Sequence, residues 1–463
     1  MGDILIRRRH GPDWPSRLAR ITLATGAIAA LLGFALVLRA RDHLPDGTLG
    51  LVIRTMPLAV AGFLTLSLAL PRGARLQLAI ILVAMAAGLW GAEGFLAWKS
   101  GTVQNDGRAI SDVVGDSRTK LQVITALRAQ GRDAYPALFP AYILRPNADG
   151  SLASPIVVDG KPILPLGGAA NVETVVCNEN GNWLVYTADE RGFANPKGTW
   201  SQPGLDLALM GDSFAQGYCV EPDQSFAGRL RARYPATLNL AMSGNGPLIE
   251  LAALVEYLPE RKPREVLWFF CEGNDIPENL AVERRAEVLL RALDGGSQGL
   301  DAIYPELDTS VRAYLERMLA KGEASVDAGP MQTVIGIFTL SHLRIALRLP
   351  TASDKPDWPL FERIMSIAHE RTTGWGGRLT LVYLPGWTTA MGAGAQLAEQ
   401  RAIHDGVAAT VQRLGIPMID LTPRFAAHAD KTALFARRRP NHYSETGHAL
   451  VAEAVLEDLE KRP

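Results

Sequence analysis

The chain has 463 residues and a formal net charge of -1, from 47 Lys and Arg against 48 Asp and Glu, so no global field argues for nucleic acid or for an anionic partner. Its length exceeds one ordinary compact domain and predicts a membrane segment plus one large or two small globular units. The three cysteines, Cys177, Cys219 and Cys271, are too few for a disulfide scaffold and lack the Cys-x-x-Cys or His-rich spacing of a zinc site, so neither a metal nor a cofactor is expected.

From Ile21 to Trp98 the chain is dominated by Ala, Leu, Ile, Val and Gly. Three apolar stretches, Ile21 to Leu38, Leu51 to Leu70 and Leu76 to Trp98, each approach the ~20 residues needed to cross a bilayer core as helix. They predict a membrane anchor over residues 1–98 with about three transmembrane helices, and hence a multi-pass protein of the cytoplasmic (inner) membrane whose first partner is the lipid bilayer. Arg7, Arg8, Arg9, Arg17 and Arg20 before the first stretch, and Arg72 and Arg75 in the second loop, favour the cytoplasm for those segments. The soluble part then faces outward, into the periplasm in a bacterium. Arg39 and Arg41 in the first loop run against this orientation, and Arg54 lies near enough to an end of its stretch to snorkel. A cleaved signal peptide is the other reading of the first stretch, but Arg-Ala-Arg-Asp follows it rather than a small-residue cleavage site.

Residues 99–204 contain one predicted helix, about Ser117 to Gln130, and short apolar runs such as Trp183 to Tyr186 between Gly, Asn and Pro, the pattern of a small mixed, β-rich segment. In an oxidising compartment one cysteine pair is expected, Cys177 with Cys219, leaving Cys271 over; three buried thiols are the alternative.

Residues 205–463 alternate short apolar strands with amphipathic helices: Leu205 to Met210, a helix near Phe226 to Arg233, Thr237 to Leu240, a helix near Leu248 to Leu258, and Val266 to Phe270. Strands at Leu379 to Leu384 and Pro417 to Leu421 and a closing helix from Glu445 to Glu460 complete the pattern, which predicts an α/β fold with a parallel sheet. Between them, near 278–375, lies a mostly helical insertion including Ala281 to Leu293 and Val311 to Lys321. It reads as a lid, as one wall of a cleft, or as plain packing.

Chemistry-bearing residues gather where predicted strands end, which is where open α/β sheets bind ligands. Gly211-Asp212-Ser213 ends the first strand. A serine hydroxyl is a weak nucleophile until a positioned base takes its proton; without such a base the tripeptide is explained by a turn and a helix cap. Ser243-Gly244 follows the second strand, and Gly244 lets a backbone N–H approach a developing negative charge. Gly273-Asn274-Asp275 follows the third strand, and His442 and His448 lie at or before the last helix. His448 falls within that helix and reads as packing, while His342, His369, His404 and His428 are scattered and read as surface or packing residues.

The order Gly-Asp-Ser, Ser-Gly, Gly-Asn-Asp and C-terminal His resembles the SGNH/GDSL hydrolases, over about Leu205 to the C-terminus. The resemblance implies a flavodoxin-like three-layer sandwich with Ser213 as nucleophile and His442 as base. It places the oxyanion on the Ser213 N–H, the Gly244 N–H and the Asn274 side chain. Asp212 and Asp275 are, by the same resemblance, structural partners of their loops. The family's aspartate before the histidine is missing, since Arg439 and Pro440 stand there; Asn441, Asp420, Glu445 or a backbone carbonyl are the candidates to orient His442, and a Ser-His dyad is equally allowed. The basic run Arg437 to Arg439 reads as a solvated loop or as a site for an anionic substrate.

Three functions remain open on these residues. One is a serine esterase removing an O-acyl group from a small molecule or glycan at the cell envelope. Another is an O-acetyltransferase that hands the acyl group to an exopolysaccharide or cell-wall glycan. The third is a non-catalytic domain that binds a glycan or a partner.

Overall fold

The computed structural model describes residues 14–39, 48–104, 115–324, 340, 343, 356–394 and 396–462. Arg7 to Arg9, Arg41, His342 and much of the insertion between 325 and 355 lie outside them. The chain divides into two units, residues 1–100 with 328–354, and residues 101–327 with 355–463.

The first unit contains α1 (Trp14–Arg39), α2 (Thr48–Ser67, with Pro57 inside it) and α3 (Arg72–Gln104). Leu23, Ala27 and Leu64 form a small buried cluster between α1 and α2. The buried Arg75 side chain donates to the Leu68 carbonyl and to Ser16 Oγ, both at 3.1 Å. Elsewhere the helices turn apolar side chains outward, Ile21, Leu32, Phe63, Leu66, Ile80 and Phe95 among them. Two segments, Trp14–Ala35 and Arg72–Leu96, are long and apolar enough to cross a membrane.

The second unit opens with α4 (Lys120–Ala129), whose start is set by a capping box: Thr119 Oγ1 accepts the Gln122 N–H while the Gln122 side chain accepts the Thr119 N–H. A small sheet follows, made of β1 (Ala134–Pro136), β2 (Glu173–Val175) and β3 (Val185–Thr187), with β1 parallel and β3 antiparallel to β2. The main sheet has five strands, β4 (Leu207–Met210), β5 (Thr237–Asn239), β6 (Glu265–Cys271), β7 (Arg378–Leu384) and β8 (Met418–Asp420), all parallel, in the order β5-β4-β6-β7-β8.

Alternation along the strands sorts side chains onto two faces. Ala208, Met210, Val266, Trp268, Phe270, Leu381 and Tyr383 pack into one core, covered by α6 (Pro247–Tyr257), α8 (Trp358–Gly374) and α9 (Leu397–Arg413). Leu207, Leu209, Leu267, Phe269, Val382 and Leu384 enter the other, covered by α5 (Phe226–Arg233) and α10 (Glu445–Glu460). This is the helix-sheet-helix arrangement expected. The first core also takes in Leu138, Ile143, Leu166 and Val176, so residues of the 99–204 segment share their interior with the parallel sheet.

The insertion departs from expectation in one respect. Ala281 to Leu293 is not one helix but the short turns Ala281–Glu283, Glu287–Leu290 and Arg291–Asp294. The break falls at Ala286, which is extended at φ -99°, ψ 108°, because Leu152 bridges to it and donates its N–H to the Arg285 carbonyl at 2.8 Å. The helix α7 (Tyr304–Ala320) lies further along the insertion. Strand order reverses direction between β4 and β6, so the crevice at their carboxyl ends is the switch point of the sheet.

Candidate active site

Ser213 sits at that switch point, first in a one-turn helix, Ser213–Gln216, directly after β4. The turn needs Gly211: its φ is +153°, and a Cβ there would lie 2.6 Å from the Ala215 Cβ. Asp212 caps the short helix through its Oδ1, which accepts the Phe214 N–H at 2.9 Å. Its other oxygen, Oδ2, accepts from Asn274 Nδ2 at 2.9 Å. One N–H of the Asn274 amide is therefore committed to holding the group, and the second remains for a ligand. Burial pushes the Asp212 carboxyl up from its ordinary pKa, against the pull of Asn274, the Phe214 N–H and the His442 charge.

Gly244 has φ +80° and lies under the ring of Tyr142, where an added Cβ would come 2.6 Å from Cε1. The loop that carries it is tied to the serine's helix, since the Ser243 N–H and hydroxyl both donate to Gln216 Oε1, at 2.9 and 2.6 Å. Among the described residues neither the Ser213 nor the Gly244 N–H has a protein acceptor. Asp275 supports the neighbouring strand end by accepting the Cys271 N–H at 2.7 Å.

His442 brings Nε2 to 2.9 Å from Ser213 Oγ. Its Nδ1 faces a residue that sequence reasoning did not single out: Glu179 Oε1 and Oε2 lie at 3.0 and 3.1 Å. Burial by itself lowers the imidazole pKa, but the Glu179 hydrogen bond and charge, with the Asp212 charge behind them, outweigh it and hold His442 above 6.5. The ring is flanked by Tyr218 and Phe214, with centroids 4.7 and 5.0 Å away.

None of the three side chains expected to orient His442 does so. Asp420 Oδ2 is 3.0 Å from His404 Nε2, and its Oδ1 accepts the Thr422 N–H. Glu445 is exposed in the first turn of α10, and Asn441 makes no hydrogen bond to the ring among the described residues. The reason is directional: the loop presents Nδ1 toward the connection between β2 and β3, away from β8 and α10. Glu179 sits in that connection, two residues after Cys177, and Cys177 is joined to Cys219 in a disulfide. The cysteine pair was the only pointer in the sequence that this connection meets the segment after Ser213.

His448 is 1% exposed, and its Nδ1 accepts the Phe226 N–H at 3.2 Å. Burial, aided by the charges of His442 and Arg229, lowers its pKa to about 3, so it is a neutral link between α10 and α5. His428 is half-buried, with Nδ1 beside the Asp430 backbone. Cys271 is a buried free thiol, pushed well up by burial and the acidic groups around it, and so is inert as a nucleophile. In the basic run, Arg438 pairs with Asp430 at 2.6 Å. Arg437 is half-buried at φ +56°, with its pKa lowered first by burial and then by Arg439.

No family model matches this chain, and neither does any curated protein. Solved structures do. The lipase/acylhydrolase from Enterococcus faecalis is 13% identical with a TM-score of 0.33, covering 56% of this chain and 96% of its own. The acetyl xylan esterase AlAXEase is 11% identical with a TM-score of 0.32, over 55% of this chain and 98% of its own. A putative lipolytic protein of the G-D-S-L family from Desulfitobacterium hafniense is 11% identical with a TM-score of 0.31, over 54% of this chain and 97% of its own.

Proposed function

We propose that this chain is a serine-dependent ester hydrolase, anchored in the membrane by its N-terminal helices, that removes an O-acyl group at the cell envelope. The observation that carries the reading is the continuous chain of contacts from Ser213 Oγ to His442 Nε2 and from His442 Nδ1 to the Glu179 carboxylate. Glu179 accepts a hydrogen bond from the Nδ1 N–H and so holds the proton on Nδ1, leaving the lone pair on Nε2 facing the hydroxyl. Ser213 Oγ attacks the ester carbonyl as its proton passes to Nε2. The Ser213 and Gly244 N–H groups and the free N–H of the Asn274 amide face the oxyanion. The imidazolium, steadied by Glu179, protonates the leaving alcohol. Water, deprotonated by the same histidine, then releases the acid and restores the serine.

A carboxylate on Nδ1 removes the main ground for a non-catalytic reading, which was the missing aspartate. The outward apolar side chains of α1 to α3 support a lipid environment, because in water that surface would cost about 25 cal/mol per Å². The Cys177–Cys219 disulfide supports an extracytoplasmic second unit, independently of the arginine pattern.

The test is hydrolysis of p-nitrophenyl acetate by the full chain in detergent micelles. Ser213→Ala and His442→Ala are each expected to lose roughly three or more orders of magnitude in kcat. A fluorophosphonate should label Ser213 in the wild type and not in Ser213→Ala. A folded wild type that neither turns over esters nor takes the label would refute the reading.

A further inference from the structure

We propose that the Cys177–Cys219 disulfide is the positioning element of this site, holding Glu179 on His442, so that the chain reaches full activity only when oxidised. The inference rests on the hydrolase reading for its catalytic consequence, but its structural content is independent of the substrate.

The carboxylate is delivered from an unlikely place. Glu179 lies on the connection that leaves the small sheet after β2, beyond the last ladder bonds, in which the Val176 N–H donates to the Leu184 carbonyl and the Leu184 N–H to the Cys177 carbonyl. From Asn178 to Trp183 the chain runs outside that ladder. Its hold on the serine side of the molecule is concentrated at one residue. Cys219 bonds covalently to Cys177, its Sγ accepts the Glu179 N–H at 3.1 Å, and its carbonyl accepts from Asn180 Nδ2 at 2.8 Å.

Cys219 is also fixed relative to Ser213. It follows the one-turn helix after Gly217, which closes that helix in the left-handed region, and it has φ +60° itself. The Tyr218 N–H donates to the Ser213 carbonyl at 3.0 Å. One residue thus relates the backbone of the serine to the backbone of the glutamate. Cys177 is fully buried and Cys219 is 7% exposed, so the bridge is sheltered once made.

Without the bridge, the connection keeps its ties to the segment before α4, where Asn178 Nδ2 donates to the Asp116 carbonyl at 2.9 Å and the Asp116 N–H to the Gly181 carbonyl at 2.7 Å, but at most two hydrogen bonds to Cys219 still relate Glu179 to the serine segment. Hydrogen bonding to a histidine depends on placement within tenths of an ångström, and misplacement of about 1 Å in a catalytic array costs on the order of a hundredfold in rate. Reduction breaks the S–S bond with two electrons and two protons and leaves two thiols. With dithiothreitol as reductant, those electrons and protons come from its two thiols, which close to a cyclic disulfide.

The experiment uses the full chain in detergent, with histidines isotopically labelled and His442 assigned through His442→Gln. The His442 pKa is read by NMR in the oxidised wild type, in Cys177→Ala/Cys219→Ala, and in Glu179→Gln with the bridge intact. Loss of the bridge is expected to lower the His442 pKa in the same direction as Glu179→Gln. It should also move the acid limb of kcat/KM to lower pH and reduce kcat by roughly tenfold or more with little change in KM. Combining the two changes should add little to Glu179→Gln alone.

A bridge-free chain that melts earlier but keeps the wild-type His442 pKa and pH profile would overturn the proposal, because a purely structural crosslink moves only the melting temperature. If the double variant fails to fold, wild-type protein folded and purified in the presence of dithiothreitol, before the bridge closes, carries the same comparison. Should the wild type hydrolyse no ester, the hydrolase reading fails while the His442 titration still decides the positioning role.

Discussion

Replacing Glu179 with Gln keeps the size of the side chain and removes its charge from His442. Both carboxylate oxygens lie within 3.1 Å of Nδ1, and the Glu179 side chain is only 17% exposed, so solvent does little to screen the pair. On the hydrolase reading, at about 4 Å between charge centres and an effective dielectric near 20, an imidazolium formed in the transition state would gain about 4 kcal/mol from that carboxylate. A loss of this size corresponds to about three orders of magnitude in rate. The amide can also donate to Nδ1 and favour the wrong tautomer, which acts in the same direction.

The assay is p-nitrophenyl acetate hydrolysis across pH 5 to 9, with fluorophosphonate labelling in parallel. Glu179 raises the His442 pKa, and on the proposed mechanism the base would work only when neutral, so activity should be lost as pH falls through that pKa. Glu179→Gln should therefore show a kcat lower by about a thousandfold at its plateau and an acid limb displaced to lower pH. Glu179→Asp should recover part of kcat. A Glu179→Gln enzyme within about threefold of wild type and with an unchanged pH profile would refute the assignment.

Gly244→Ala places a Cβ 2.6 Å from Tyr142 Cε1 at a backbone φ of +80°; kcat is expected to fall by about ten- to a hundredfold, and Gly244→Ala/Tyr142→Ala should recover only the steric part, as steady-state kinetics will show. Removing the Cys177–Cys219 bridge frees a loop with a sequence separation of 42, which the chain-entropy account values at about 4 kcal/mol, to be read from urea unfolding of the double alanine variant. Glu283 is fully buried, accepts the Gly246 and Leu248 N–H groups, and is pushed by burial to about 7. Its native state therefore keeps a proton that the unfolded chain releases, so this stabilisation is complete below about pH 4.5 and is lost as pH rises through 7, at up to about 3 kcal/mol. Glu283→Gln should flatten that decline in pH-dependent melts, and an unchanged slope would refute the assignment.

Much of the architecture was legible because periodicity and local chemistry act over short spans. Continuous apolar runs in Leu207 to Met210 and Val266 to Cys271 specify strands buried on both faces, and a glycine is required where β4 must turn sharply into the next helix. Gly-Asp-Ser, Ser-Gly and Gly-Asn-Asp each follow a strand within a few residues, so a parallel sheet brings them to one edge whatever the details of packing. The helix expected over Ala281 to Leu293 is broken by a contact from Leu152 that no local pattern announces.

Glu179 marks the same boundary more sharply. It stands 263 positions from His442, and the two meet at 3.0 Å only because the small sheet shares a core with the parallel one and a disulfide pins its connection beside the serine. A carboxylate near a histidine in sequence can be anticipated from spacing. One delivered by a different sheet depends on the direction in which the imidazole points, and that direction is decided by packing across the whole unit. The chain by itself therefore determined its strands, its turn residues and the two ends of the Ser213–His442 pair; which acid completes them was decided by tertiary structure, because hydrogen-bond geometry is a property of atoms in space and not of their order along the chain.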